Sequence, residues 1–216
     1  MGTYKPGAFG PFNGRIGDVV ASRWKGLNVV KNRPAKSTKP ATANQLDQRA
    51  RFGLVTGFTS KAADLIAIGF RNLDGKVTAG NILAKEMMKS AILGVYPDYE
   101  LDFPGISLSQ DGKLDLGAKL KVQALAEQTV EVSWVSGAMP TKVADVTDGV
   151  HILLYNSDKN KIIQSAEGLV RGDNRVTIYV PGSFIGDKVH CYLFFASSKN
   201  KEVSPTAYLG VLTVLA

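Results

Sequence analysis

Thr129-Val-Glu-Val-Ser-Trp-Val135 is the stretch on which the fold turns. Val130, Val132 and Trp134 fall on one side of an extended chain and Glu131 and Ser133 on the other. That period of two marks a strand with one face buried and one in water. Moving outward, apolar runs of the same kind recur at 106–109, 119–124, 150–156, 161–166, 175–180, 188–197 and 208–214. Turn residues separate them at the spacing of an all-β sandwich, which sets residues 99–216 apart as a β domain.

The order of side chains along these strands is itself informative. Val130-Glu-Val-Ser-Trp134 and His151-Ile-Leu-Leu-Tyr155 come first, then Arg175-Val-Thr-Ile-Tyr179 followed by Pro181-Gly182. Val189-His-Cys-Tyr-Leu-Phe-Phe-Ala196 and Ser204-Pro205 complete the series. It resembles a fibronectin type III or related immunoglobulin-like domain, a likeness of architecture that implies no activity.

Toward the N-terminus the period lengthens, and residues 44–98 read as a helical segment. Thr42, with Gln45 three residues on, has the form of a capping box, and Leu46, Ala50, Gly53 or Leu54, and Gly57 or Phe58 fall near one stripe. Gly53 and Gly57 are expected to admit a second backbone closely, at a cost of about 1 kcal/mol each relative to Ala. Residues 62–70 are apolar enough for a further helix, broken by Asn72-Leu-Asp-Gly75. From 79 to 93 a helical period returns in Ile82, Leu83, Met87, Ala91 and Ile92, with Gly94 in the place of a C-terminal cap.

Residues 1–43 are rich in Gly, Pro, Lys and Arg. Two apolar stretches, 16–21 and 27–30, flank Trp24-Lys25-Gly26 and are expected to pair as a β-hairpin between two flexible arms, turning at the Gly26 region. So short a segment cannot bury a core of its own, so Ile16, Val19, Trp24 and Val29 must pack on the rest of the chain or on a partner. Asn32-Arg-Pro-Ala-Lys-Ser-Thr-Lys-Pro40 reads as an extended tether.

Composition narrows the functional classes. The 216 residues are 44% hydrophobic and 21% charged, as in an ordinary globular protein. One cysteine, Cys191, excludes an internal disulfide, and with only His151 and His190 beside it there is no soft-ligand cluster for structural zinc. No apolar run reaches the roughly 18 residues of a spanning helix, and the start Met1-Gly-Thr-Tyr-Lys-Pro6 lacks a signal peptide's apolar core and a myristoylation pattern. The expectation is a protein without a membrane partner, soluble inside a cell or in whatever is assembled there.

Chemical motifs are weak. Both histidines fall in expected strands, read as lying on a sheet surface or rim, and Cys191 sits among Val189, Tyr192 and Phe194 as a small buried hydrophobe. Asp98, Glu100 and Asp102 alternate on a strand but lack the calcium-loop pattern, so no metal site is expected. Gly7-Ala-Phe-Gly-Pro-Phe-Asn-Gly14 lacks the Gly-Lys-Ser/Thr ending of a phosphate loop. Arg171-Gly172-Asp173 spells an adhesion tripeptide, yet its place before a strand reads as turn chemistry. No catalytic residue and no cofactor is assigned, and the chain is expected not to be an enzyme.

Charge supplies the functional lead. Residues 1–76 hold 13 Lys+Arg and 4 Asp+Glu, leaving 13 and 15 for the remainder. Arg15, Arg23, Lys25, Lys31, Arg33, Lys36 and Lys39 follow one another with Asp18 as the lone acid, and Trp24 stands between two of them. Arg49 and Arg51 continue the polar character onto the first helix, where solvated helix positions would read the same way. Such an arm suits contact with the acidic surface of neighbouring protein subunits in an oligomeric assembly. It also suits nucleic acid, through phosphates and stacking, or a plain intramolecular hairpin. Nothing in the aromatic pattern favours a carbohydrate-binding sandwich.

Gly10-Pro-Phe-Asn-Gly-Arg-Ile-Gly-Asp-Val-Val20, Arg23-Trp-Lys-Gly26, Val30-Lys-Asn-Arg-Pro34 and Gln45-Leu-Asp-Gln-Arg-Ala-Arg-Phe52 occur in order. Ile68-Gly-Phe70, Ala91-Ile-Leu-Gly-Val-Tyr-Pro97 and Leu108-Ser-Gln-Asp-Gly-Lys-Leu114 follow. Together they resemble the Bacteroidota family called domain of unknown function 6266, with Asp98-Tyr-Glu-Leu-Asp-Phe103 a minor departure. The resemblance implies chromosomal and phage or prophage settings and carries no catalytic residues. The expected whole is an α+β chain: a basic arm with a hairpin (1–43), a small helical segment (44–98) and an antiparallel immunoglobulin-like β-sandwich (99–216). Its expected role is that of a structural component of a phage virion or virion-like particle.

Overall fold

A computed structural model describes residues 2–6, 10–24, 26–35, 38–73, 77–136 and 143–216. Contacts divide the chain at Thr42, into units Met1–Thr42 and Ala43–Ala216. In the first unit β1 (Gly2–Thr3), β2 (Gly14–Ile16), β3 (Val19–Trp24) and β4 (Leu27–Asn32) form an antiparallel sheet in the order β1-β4-β3-β2. The expected hairpin is present as β3–β4, with Gly26 in its turn at φ 82°. The stretch 16–21 is not one strand, however. It reverses at Gly17-Asp18, so that Ile16 pairs with Val19 and the described residues of the arm form four strands rather than two. The two-residue link reads as part of an apolar run because Ile16 and Val19 flank it directly.

The second unit begins with α1 (Ala43–Thr59), α2 (Ala63–Gly69) and α3 (Ala79–Ser90). Their inward faces carry Val55 and Phe58, Leu65 and Ile66, and Leu83, Ala84 and Met87, the three-to-four spacing of a helix stripe. The expected stripe of α1 holds at Ala50 and Leu54, which are half-buried, and at Phe58, which is in the core, but not at Leu46, which is exposed. Gly53 and Gly57 face open space, with nothing within 4 Å of an added Cβ, so neither seats a second backbone. Thr78 caps α3, its hydroxyl accepting from the Asn81 amide at 3.4 Å. The helix ends at Ser90, with Ala91 as its cap, rather than at Gly94. Ile92 and Leu93 instead enter β5 (Ile92–Val95), which pairs with β6 (Asp98–Leu101) in a hairpin.

Seven strands follow: β7 (Ala118–Leu125), β8 (Thr129–Val135), β9 (Gly149–Asn156), β10 (Lys161–Gln164), β11 (Arg175–Tyr179), β12 (Lys188–Ala196) and β13 (Ala207–Thr213). They form two antiparallel sheets, β11-β8-β7 and β10-β9-β12-β13, facing each other as a sandwich. The expected strand at 106–109 is absent. Leu108 and Ser109 donate their amides to Thr206 Oγ1, both at 2.9 Å, so a side chain satisfies the backbone where a ladder was expected.

Two cores result. Val130, Val132 and Trp134 of β8 meet Ile152, Leu154, Val189, Cys191, Leu193 and Phe195 inside the sandwich. Leu153, Tyr155, Tyr192 and Phe194 leave the opposite face of the same sheet and pack against Phe58, Leu65, Ile66, Leu83 and Met87. β9 and β12 are therefore buried on both faces, and the layers run helices, four-stranded sheet, three-stranded sheet. The expected boundary at 98/99 is crossed both by the β5–β6 hairpin and by the helix core, so residues 43–216 are one unit.

Candidate functional site

The arm sheet sorts its basic side chains by face, because residues opposite one another in a ladder share a side. Arg15, Val20 and Lys31 lie in one row across β2, β3 and β4. Two steps and four steps along the same face come Ser22 opposite Val29 and Trp24 opposite Leu27. Arg23 stands on the other face with Val19, Ile16 and Asn28. Arg15, Lys31 and Arg23 are exposed. So are the apolar groups beside them: Ile16 is 57% exposed, Trp24 59% and Leu27 54%. Only Ala21 and Val29 are buried among the described apolar side chains of this unit. The sheet is braced locally: Tyr4 and Phe12 rings lie 5.1 Å apart, and the Tyr4 hydroxyl is 3.1 Å from both the Phe12 amide and its carbonyl.

Of the other expected contact residues, Arg33 follows β4, its amide bonded to the Asp18 carbonyl at 2.8 Å, and Lys39 is exposed. Lys25 and Lys36 lie outside the described residues. Arg49 is exposed on α1, whereas Arg51 is half-buried with its guanidinium 5.4 Å from the centre of the Tyr99 ring. Arg51 is thus committed to packing α1 on β6 rather than to a solvated position. Residues 1–42 hold eight Lys+Arg and one Asp; the rest hold 18 of each sign, so the whole formal charge of +7 belongs to the arm.

Of the two histidines expected on a sheet surface or rim, His190 is not at a surface, whereas His151 is only partly covered. His190 is buried, stacked on Phe103 at 3.7 Å between ring centres, with its Nδ1 2.8 Å from the Tyr208 hydroxyl; burial lowers its pKa. His151 is half-buried against Phe194, and burial with the neighbouring Arg71 charge lowers its pKa to about 4. It borders a cleft of about 550 Å³ that also touches Asp64, Arg71 and Gln164. His190 is covered by Phe103, which follows β6, and by Tyr208 of β13, neighbours that the strand pattern does not reveal. Cys191 is fully buried, its thiol pushed up to about 12 by burial. A thiol so held is a poor nucleophile.

Asp98 and Glu100 point outward from β6, while on the inner face the Tyr99 hydroxyl donates to Asp47 Oδ1, which raises the Tyr99 pKa. Among the described residues no three His, Cys, Asp or Glu side chains gather as a metal set. No described helix is long and apolar enough to cross a membrane.

Sequence reading missed the arginines that work structurally. Arg171 is 1% exposed, its Nε 3.4 Å from Asp148 Oδ2 and its guanidinium 3.9 Å above the Phe195 ring. Its carbonyl accepts from Trp134 Nε1 at 2.8 Å. The Arg-Gly-Asp tripeptide is a 3₁₀ turn with its arginine buried, in line with its reading as turn chemistry. Arg71 donates to the carbonyls of Ser197 and Glu202, each at 2.7 Å, tying the end of α2 to the loop after β12. A residue separation of more than 120 hides such a bond from local patterns.

Half of the chain is similar to the fn3 domain of human collagen alpha-1(XX) chain, at 10% identity over 50% of this chain and 91% of that one, TM-score 0.36. It is also similar to the FN1-FN3 domains of chicken CNTN1 (14% identity, 50% and 34% of the chains, TM-score 0.35). A third is the fn3 domain of human contactin 1 (12%, 50% and 83%, TM-score 0.29). No curated protein matches the sequence. The motifs running from the arm through the helices are matched differently, by one family model that extends over arm, helices and sandwich alike, from residue 11 to residue 210. The chain therefore belongs to the family of unknown function DUF6266.

Proposed function

We propose that the protein is a non-enzymatic structural component of an assembly, a phage virion or virion-like particle, in which the arm sheet contacts neighbouring protein subunits. One observation carries this reading: the arm is a separate unit in which only two of the described apolar side chains are buried, yet it exposes Ile16, Trp24 and Leu27 beside Arg15, Arg23 and Lys31. A sheet without a core of its own is stabilised by what it binds, and large apolar groups ringed by charge are how protein contacts are anchored.

One face of the sheet also favours a second reading. Trp24 with Arg15 and Lys31 could stack a base while neutralising phosphates. Labelled single- and double-stranded DNA titrated at several salt concentrations with the full chain and with residues 43–216 separates the two. The shortened chain keeps both cores and so retains its fold. The assembly reading expects no arm-dependent binding at physiological salt. Affinity that needs the arm, with log K falling by roughly 0.9 per phosphate contact against log salt, would replace it with the nucleic-acid reading.

A further inference from the structure

The β5–β6 hairpin has an outer face that mirrors the arm. In its ladder Leu93 stands opposite Glu100 and Val95 opposite Asp98, so two apolar and two acidic side chains share one side. All four are exposed, Leu93 at 54% and Val95 at 77%. The inner side is already engaged: Leu101 is buried and Tyr99 bonds Asp47 of α1. On the arm, Arg15 and Lys31 share a face with Leu27 and Trp24. One surface offers apolar contacts flanked by carboxylates, the other apolar contacts flanked by a guanidinium and an ammonium.

We infer that the outer hairpin face of one copy is the acceptor for the arm sheet of a second copy. The inference rests on the assembly reading of the arm and names its partner. Charge complementarity selects the match: the arm carries all of the net charge, and Asp98 and Glu100 place two acids on an otherwise apolar exposed face. A single contact between the four exposed side chains of this hairpin face and the arm sheet lies at the small end of specific interfaces. Reciprocal exchange in a two-fold dimer forms it twice, which is the commonest closed symmetry.

The test uses full-length chains and their mass by light scattering. Arm-reversed (Arg15→Glu with Lys31→Glu) and hairpin-reversed (Asp98→Lys with Glu100→Lys) variants are each expected to lose the dimer while keeping the native far-ultraviolet spectrum and a single cooperative unfolding transition, because every altered group is exposed. An equimolar mixture of the two is expected to recover a dimer of one copy of each, since both contacts then pair opposite charges. If the hairpin reversal leaves the mass unchanged while the arm reversal lowers it, the hairpin is not the acceptor, although the arm still assembles. If the mixture stays monomeric, exchange between copies is likewise refuted. A wild-type mass unaffected by removing residues 1–42 would refute the arm reading itself.

Discussion

Leu154 and Tyr155 are neighbours in β9, yet their side chains belong to different cores: Leu154 lies inside the sandwich, and Tyr155 lies under the helices, edge-on to Phe58 at 5.2 Å. A sheet with both faces buried couples the layers on either side of it, so helices and sandwich should unfold together. Met87→Ala in α3 is expected to cost about 2–5 kcal/mol, as for a large buried side chain. In residues 43–216 Trp134 is the lone tryptophan, and its fluorescence transition in denaturant should shift by the same amount as the far-ultraviolet helix signal. A Trp134 transition that stays put would mean that the layers are independent.

Arg171 and Asp148 form an ion pair within the sandwich, with side chains 2% and 0% exposed. Removing one partner strands a buried charge. Arg171→Met is expected to destabilise by about 3–5 kcal/mol. Arg171→Met with Asp148→Leu should cost clearly less than the two single changes added, as measured by a double-mutant cycle in urea. Strict additivity would show that the pair does not interact.

Gly69 meets the chain crossing it so closely that an added Cβ would lie 2.1 Å from the Leu108 carbonyl oxygen. Gly69→Ala must push two backbones apart and is expected to lower the melting temperature sharply. Gly53→Ala, in the open middle of α1, should instead stabilise by about 0.5–1 kcal/mol through helix propensity. Equal effects of the two substitutions would contradict the placement of α2 on residues 108 and 109.

His151 gives a pH signature. Its folded pKa, about 4, is below the ordinary 6.5, so the unfolded chain binds more protons between these values. Stability from this group is therefore complete above pH 6.5 and lost as pH falls toward 4, at up to about 1.4 kcal/mol per pH unit. The lowered pKa of His190 acts in the same direction. His151→Leu should flatten the dependence over that range in urea unfolding; an unchanged slope would show that His151 is solvated.

How much of this the sequence shows depends on range. β8 and β3–β4 are legible because a period of two and a glycine turn are local. The helices are legible in existence, but α3 runs directly into β5 and no local signal stops it before Ile92. The double burial of β9 and β12 leaves only unbroken apolar runs, which do not say what lies on the second face. For the arm, charge is visible in composition, whereas the division of Arg15 and Lys31 from Arg23 needs the register. The acidic face of the β5–β6 hairpin shows as alternating carboxylates, but Leu93 and Val95 join them only once the two strands are paired.

The claim that the arm is an assembly element is tested most directly by molar mass. Light scattering over a concentration series, with the full chain and with residues 43–216, should give a multiple of the 23.1 kDa protomer for the former and a monomer for the latter. The multiple should shrink as salt is raised, because exposed charges take part. A full chain that stays at the protomer mass across the series, indistinguishable in state from the shortened chain, would contradict it.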